Sequence, residues 1–434
     1  MRHFFRFEER ATNFRTEVVA GITTFLTMAY IIFVNPGILS AAGISFPAAV
    51  TATALGSCLI CVTMGLVTNR PLALAPGMGV NAVVAFSVIG INQANVPWQV
   101  GMSVIFLEGL VILGLVLLGL RGAVMDAIPL NLKRAIGIGI GLFITLIGLN
   151  QGGLIRPAPI TLVALGDFSQ KYVWVTLIGL GAILIFMALR VKGALLWGIL
   201  SATGAALCLR VTRPPTQIVG PLDFQTFFAP FQRVGGRMAL GDVFTGLLLL
   251  TVFSIMMTDF FDTMGTVVAV GEQGGFVDKR GKVSGMKKIL TVDSLAALVG
   301  GLFGSSSITT YVESAAGVAV GGRTGLTAIV TGLLFGAAAF FAPVIQMVGG
   351  GYRIPNADQY RLFVNTGFQT PADAIPPAGA GDFFVYPITA GALIIVGFLL
   401  MKTISQIDWN EFEEAFPAFL TIVGIPLTYN ISYG

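Results

Sequence analysis

Five ionisable residues stand inside long apolar runs of this chain: Glu108, Asp259, Asp262, Asp293 and Glu313. A charge at the centre of a membrane costs roughly 2.5–3.5 kcal/mol even on the lenient insertion scale, so each of them asks for a partner or a function. Glu313 lies in GSSSITTYVESAAGVAVGG, Gly304 to Gly322, a stretch that opens almost entirely on Ser, Thr and Gly. Such a stretch is a poor lipid-facing helix and must be packed inside protein or line a water-filled cavity. Thr309, Thr310, Tyr311 and Ser314 offer hydroxyls around the acid, and an interrupted helix offers free backbone N–H and C=O groups. Interrupted spans of this kind mark midplane substrate sites in secondary transporters.

In TDFFDTMGTVVAVGEQGG, Asp259, Asp262 and Thr266 are spaced i, i+3, i+7 and lie near one helix face. Two acids and a hydroxyl on one face suit a cavity or a protein partner. Asp262 reads as a substrate or proton residue, with a structural hydrogen-bonding role as the alternative, and Asp259 reads the other way round. Asn81, in LAPGMGVNAVVAF, carries a carboxamide that both donates and accepts, and reads as a ligand contact, with a cap or interhelical bond as the alternative. Glu108, in VIFLEGLVIL, reads as an interhelical polar contact, and Asp293 as a cap-like or packing acid at the start of its span.

The elements that position these residues follow from composition. The chain has 434 residues, 55% of them hydrophobic and 11% charged, with a mean hydropathy of +0.87. That is too little polar residue to cover a soluble surface of this size, so the chain is a polytopic membrane protein. Its 55 glycines suit close helix packing and interrupted helices. A net charge of +4 spread over loops argues against a nucleic-acid partner. The N-terminal segment, residues 1–16, mixes acids and bases without a signal-peptide pattern and reads as a retained cytoplasmic segment. Cys58, Cys61 and Cys208 all lie in apolar runs; the C-x-x-C of the first two reads as packing, not redox or metal chemistry. No cofactor or metal site is expected.

Apolar runs long enough for a ~30 Å core fall at about 17–40, 47–69, 71–90, 98–120, 133–152, 171–189, 192–209, 243–272, 289–304, 305–321, 323–348, 383–402 and 416–434. Runs 71–90 and 305–321 are short, Gly-interrupted and each third in a similar group, and the runs before them also rhyme: TATALGSCLICVTMGL from Thr51, TVDSLAALVGGLFGS from Thr291. With the N-terminus inside, strict alternation places most of the 25 basic residues on the cytoplasmic side, among them Arg190, Lys192 and the run Lys279, Arg280, Lys282, Lys287, Lys288. An odd first half of seven spans sets the second half upside down, the inverted-repeat arrangement. The counterpart of 192–209 then falls beyond Gly434, so fourteen spans are expected and about thirteen are present, the alternative being a thirteen-span protein. Residues 403–415 read as an inner-surface amphipathic connector and 349–382 as a long outer loop.

The segments TEVVAGITTFLTMAYIIFVNP (16–36), APGMGVNA (75–82), IGIGIGLFITLIGLNQGG (136–153), FFDTMGT (260–266) and TTYVESAAGVAVGGRTGLTAI (309–329) resemble the AzgA-like purine permeases of the nucleobase/cation symporter group. The resemblance covers essentially the whole chain. It implies an all-α polytopic fold of two inverted seven-span repeats, with short strands in spans 3 and 10 meeting at the substrate. It also implies a core domain (17–120 and 243–348) and a gate domain (121–242 and 349–434) that move against each other.

Carried over residue by residue, the family's eighth-span acid falls on Asp262, its tenth-span acid on Glu313 and its third-span amide on Asn81. Tyr311, Thr310 and Thr266 complete the expected purine contacts. Where uracil-type relatives place a His, this chain has Thr266, and its only histidine is His3, so a proton relay must use carboxylates, with Asp262 or Glu313 expected to take up the proton. The implied activity is import of hypoxanthine, guanine or adenine by proton symport, in a cell membrane, with a homodimer compatible with such a gate. The runner-up is an anion or other small-solute transporter of the same fold, which would place basic residues or helix N-termini where this midplane is acidic. A channel lacks a visible polar lining, and an enzyme lacks a nucleophile–base pair.

Overall fold

Asn13 opens the first span: its backbone is extended, at φ −144°, and its side chain accepts a hydrogen bond from the Thr16 amide at 2.9 Å. This is the capping contact that satisfies a helix N–H otherwise without a partner. In the computed structural model, which describes residues 2–90, 96–119, 130–158, 162–244, 246–276, 283–354 and 383–428, helix α1 (Phe14–Met28) follows that cap. The chain passes through Ala29 and Tyr30 into α2 (Ile31–Ala41), where Pro36 removes one N–H from the helix ladder. Helix α3 (Phe46–Thr68) carries a proline in its first turn and stops at Asn69, whose left-handed backbone (φ 50°) ends the helix.

The third and tenth spans are not continuous helices. Strand β1 (Leu74–Pro76) leads into α4 (Met78–Ala82), which continues as a π-helix over Val83–Gly90. Then come α5 (Trp98–Leu118), α6 (Leu130–Gln151), a hairpin of β2 (Ile155–Ala158) and β3 (Leu162–Leu165), α7 (Lys171–Ala188) and α8 (Ala194–Cys208). A second small hairpin, β4 (Arg233–Val234) and β5 (Arg237–Met238), precedes α9 (Gly246–Gly274) and α10 (Met286–Phe303). Strand β6 (Ile308–Thr310) leads into α11 (Ser314–Ala319), then α12 (Gly325–Ala338) and α13 (Ala342–Gly349). Strands β7 (Tyr352–Ile354) and β8 (Phe383–Val385), α14 (Pro387–Leu400) and α15 (Phe412–Thr428) complete the described chain. Among the described residues, eight helical segments are long and apolar enough to cross a membrane.

Helix α3 packs along α12, α5 along α10 and α1 along α12; separately, α6 packs along α14 and α15, and α7 along α8 and α14. Glycine makes the closest of these approaches possible. A Cβ on Gly109 of α5 would lie 2.5 Å from the Leu298 amide nitrogen of α10, and one on Gly301 of α10 would lie 2.5 Å from the Phe106 nitrogen of α5. Two backbones in direct contact at two points fix α5 against α10, and with it the acid at position 108.

β1 and β6 pair antiparallel, Leu74 with Thr310, Ala75 with Thr309 and Pro76 with Ile308. The Gly77 amide donates to Ser307 O at 2.8 Å and the Tyr311 amide to Ala73 O at 3.0 Å, extending the ladder at both ends. Ser306 holds a left-handed φ of 70° just before β6, a conformation that non-glycine residues take rarely and that concentrates at functional sites. The short strands in spans 3 and 10 are those the family resemblance implies.

Three local expectations change. Residues 403–415 are not one connector: a 3-10 helix covers Met401–Gln406 and α15 already begins at Phe412, because Phe412, Phe416 and Phe419 continue the helical run. The outer loop 349–382 begins with β7, which pairs with β8 beyond it; residues 355–382 lie outside the described residues, as do Lys279, Arg280 and Lys282. Asp293 does not cap its span. It sits in the second turn of α10 and is turned inward. Cys58 and Cys61 are free thiols, and Cys61 packs at 3.1 Å against the Leu74 backbone of β1.

Candidate functional site

The crossing of β1 and β6 gathers two carboxylates and two phenols. Glu313 is the residue immediately before α11 and is half-buried. Its Oε1 accepts a hydrogen bond from the hydroxyl of Tyr30 at 2.9 Å. Tyr30 is 2% exposed, at the junction of α1 and α2. Asp262, in α9, is exposed even though Tyr30, Tyr311, Asp293 and Glu313 all interact with it electrostatically. An exposed acid so surrounded lines an open crevice inside the protein. Tyr311 donates its hydroxyl to Pro76 O at 2.5 Å, tying β6 to the end of β1.

A second layer of buried polar groups holds the strands. Asp293 accepts from the Thr310 amide at 3.2 Å and the Thr310 hydroxyl at 2.8 Å through Oδ1, and from the Thr263 hydroxyl at 2.7 Å through Oδ2. Thr263 and Thr309 hydroxyls meet at 2.8 Å. One carboxylate therefore joins α9, α10 and β6, and it satisfies donors that would otherwise be buried at a cost. On the other side, Asn81 Nδ2 donates to Asn35 Oδ1 at 2.6 Å, while Asn35 Nδ2 donates to Thr53 Oγ1 at 2.8 Å and Ser305 O at 3.1 Å. Asn81 Oδ1 is buried without a hydrogen-bond partner.

The structure thus brings Asp262, Glu313 and Tyr311 to one crevice. Thr310 stands beside them with its hydroxyl turned to Asp293. Asn81 is fully buried in the asparagine network. Thr266 is buried on α9, and Thr263, one turn earlier, is the hydroxyl that bonds into the site. Asp259 is 1% exposed and interacts with Glu108 of α5. Sequence reasoning missed Tyr30, Asn35 and Thr263. Asn35 had a usable signal, an amide beside Pro36 in the apolar run IIFVNPGIL; Tyr30 and Thr263 had none.

The arrangement offers acceptor oxygens from two sides and, if a carboxyl is protonated, a donor as well. A planar, polar-edged solute could be gripped between Asp262 and Glu313.

A sequence model described as a permease family matches residues 15–350. The guanine/hypoxanthine permease PbuG of Bacillus subtilis is 39% identical, the match covering 100% of this chain and 91% of the relative. The adenine permease AdeP of Escherichia coli is 36% identical, covering 100% and 87%. Among solved structures, the transmembrane domain of a cyanobacterium bicarbonate transporter, BicA, superposes with a TM-score of 0.67 at 16% identity, covering 97% of both chains. The murine Solute Carrier 26 family member A9, an anion transporter in its inward-facing state, gives 0.60 at 10% identity, covering 96% of this chain and 65% of its own. At these identities the likeness carries the fold alone, an inverted-repeat transporter architecture with short crossing strands. With a family match over most of its length and full-length relatives well above 30% identity, this chain belongs to the permease family of multi-pass membrane transporters.

Proposed function

We propose that this permease imports purine nucleobases, among guanine, hypoxanthine and adenine, and that Asp262 and Glu313 read the purine together. The observation that carries this reading is the two acids near the strand crossing, an exposed Asp262 in electrostatic interaction with a Glu313 held by Tyr30, in a chain whose full-length relatives are named for these purines. A purine presents a planar edge of alternating donors and acceptors, which two carboxyls on facing elements match by paired hydrogen bonds. Tyr311, Thr310 and the adjoining backbone frame the bound base, while Asn81 and Thr266 shape the crevice from behind.

The proposed coupling ion is the proton, taken up by Asp262 or Glu313, because a carboxyl gains a donor only on protonation and so links purine binding to proton uptake. In this reading spans 1–4 and 8–11 form the core and spans 5–7 and 12–13 the gate. The packing of α3, α5 and α1 on α10 and α12, apart from that of α6, α7 and α8 on α14 and α15, supports the division. The N-terminus is placed in the cytoplasm on its basic residues, and a homodimer would anchor the gate while the core moves.

Uptake of radiolabelled hypoxanthine into proteoliposomes, with and without an imposed inward proton gradient, tests the reading. Gradient-driven accumulation that is lost in Glu313→Gln is expected. Accumulation fully retained in both Glu313→Gln and Asp262→Asn would exclude these acids as proton carriers.

A further inference from the structure

Asn35 of α2 and Asn81 of α4 are both 0% exposed, and their carboxamides meet where four segments converge. Asn35 Nδ2 donates to Thr53 Oγ1 of α3 at 2.8 Å and to Ser305 O, just before β6, at 3.1 Å. Its Oδ1 accepts from Asn81 Nδ2 at 2.6 Å. Helix α4 starts at the strand crossing: the Gly77 amide donates to Ser307 O at 2.8 Å, and one turn further the Asn81 amide donates to Gly77 O at 2.9 Å. The same half-helix packs against α9, which carries Asp262.

A carboxamide fits a site either way round by shape, and its hydrogen-bonding neighbours decide which end is which. Ser305 O, a carbonyl, only accepts, so the nitrogen of Asn35 must face it. Both Nδ2 hydrogens are then spent on Thr53 and Ser305, and Asn35 meets Asn81 with its oxygen. Asn81 must answer with its nitrogen, since the reverse would press oxygen against oxygen. The network therefore has a single polarity, and it ends on Asn81 Oδ1, turned away from Asn35. That oxygen is buried and takes no hydrogen bond from any described residue. A buried carbonyl without a donor is costly, and an N–H of a ligand would satisfy it.

We propose that Asn35 is a positioning residue for purine binding: it locks the Asn81 carboxamide with its oxygen outward, so that the back of the crevice offers an acceptor to a purine N–H. The inference rests on the proposed purine function. A carboxamide free to turn would meet a donor or an acceptor equally well; a locked one leaves its oxygen unpaired against a ligand that presents a lone pair there, which is a strong form of rejection. Guanine, hypoxanthine and adenine each carry an N–H on the five-membered ring, so one fixed acceptor can serve all three.

Infrared spectroscopy of protein labelled with 13C at the asparagine side-chain carboxamides tests the lock without substrate. The Asn81 carbonyl band, identified by its loss in Asn81→Leu, is expected to move in Asn35→Leu. A band that stays in place in a folded Asn35→Leu protein overturns the proposal. On addition of hypoxanthine the wild-type band is expected to shift to lower frequency, and an unshifted band in protein that binds hypoxanthine overturns the contact with Asn81 Oδ1. Equilibrium binding then separates positioning from packing. Asn35→Leu should weaken hypoxanthine binding roughly two- to tenfold, the range of one neutral hydrogen bond, and should add little on the Asn81→Leu background. Full additivity of the two substitutions would show that Asn35 does not act through Asn81. Failure of the wild type to bind any purine would strike the purine reading and leave the substrate-free result on the lock standing.

Discussion

Tyr30→Phe removes one oxygen and keeps the ring. That oxygen donates to Glu313 Oε1 at 2.9 Å and belongs to a residue that is 2% exposed, so the phenylalanine keeps the packing and loses only the hydrogen bond. Glu313 is half-buried and borders the crevice, so water can reach the vacated position and little global stability is lost. A hydrogen bond to a charged group contributes about 1.5–3 kcal/mol, and each 1.4 kcal/mol is about tenfold in affinity. If the bond holds Glu313 in the orientation that meets the purine, Tyr30→Phe weakens hypoxanthine binding by roughly ten- to hundredfold on these magnitudes.

The assay is equilibrium binding of hypoxanthine to purified protein, run as a double-mutant cycle with Glu313→Gln. Because Tyr30 acts through Glu313, Tyr30→Phe should cost much less on the Glu313→Gln background than alone. Full additivity, or a Tyr30→Phe protein with wild-type affinity, would refute Tyr30 as the residue that orients Glu313.

Three further outcomes are expected. Asp293→Ala leaves the Thr310 amide without its acceptor at the β1–β6 crossing, a cost of about 1–3 kcal/mol for the buried donor, so purine binding should fall sharply and thermal stability drop with it; unchanged binding in a folded variant would remove Asp293 from its positioning role. Glu17, 0% exposed, accepts from Thr12 Oγ1 at 2.9 Å, the Arg323 and Thr324 amides at 2.8 and 3.2 Å and Thr327 Oγ1 at 2.6 Å, so Glu17→Ala should lower the melting temperature clearly, and an unchanged melt would contradict the contact set. In the loop before α7, hydrogen bonds from the Ser169 and Gln170 side chains and the Ser169 amide hold the Asp167 carboxyl below its ordinary pKa. Its contribution is therefore present above the unfolded value and lost as pH falls through the lowered folded value. Asp167→Asn should reduce stability slightly at neutral pH, in keeping with a partly solvated site, and not at all in strong acid; a deficit that persists in acid would show another cause.

What could be read from sequence was whatever broke an apolar pattern. The hydroxyl-rich start of 304–322 and the Pro and Gly residues of 71–90 announced interrupted spans, and the structure makes each a short strand followed by a half-helix. Glu313 and Asp262 stood out because a carboxylate in an apolar run is costly wherever it points. Their supports did not stand out. Tyr30 lies 283 residues from Glu313, and Asn35 lies 270 from the Ser305 carbonyl it meets. A tyrosine in an apolar run is otherwise indistinguishable from ordinary core or interface. Asp293 was visible as an acid but not as an anchor, since its partners are a strand amide and two hydroxyls that only the folded crossing brings near it. Glu17 was hidden by its position at the polar edge of the first span, although it ties that span to the chain around Arg323.

Competition for hypoxanthine uptake is the most direct test of the central claim. Proteoliposomes holding the wild-type chain are loaded with radiolabelled hypoxanthine in the presence of excess guanine, adenine or uracil, alongside the Glu313→Gln variant. Inhibition by guanine or adenine, weak or no inhibition by uracil, and loss of uptake in Glu313→Gln are the predicted results. Inhibition by uracil and by neither purine, or undiminished uptake in Glu313→Gln, would contradict the account.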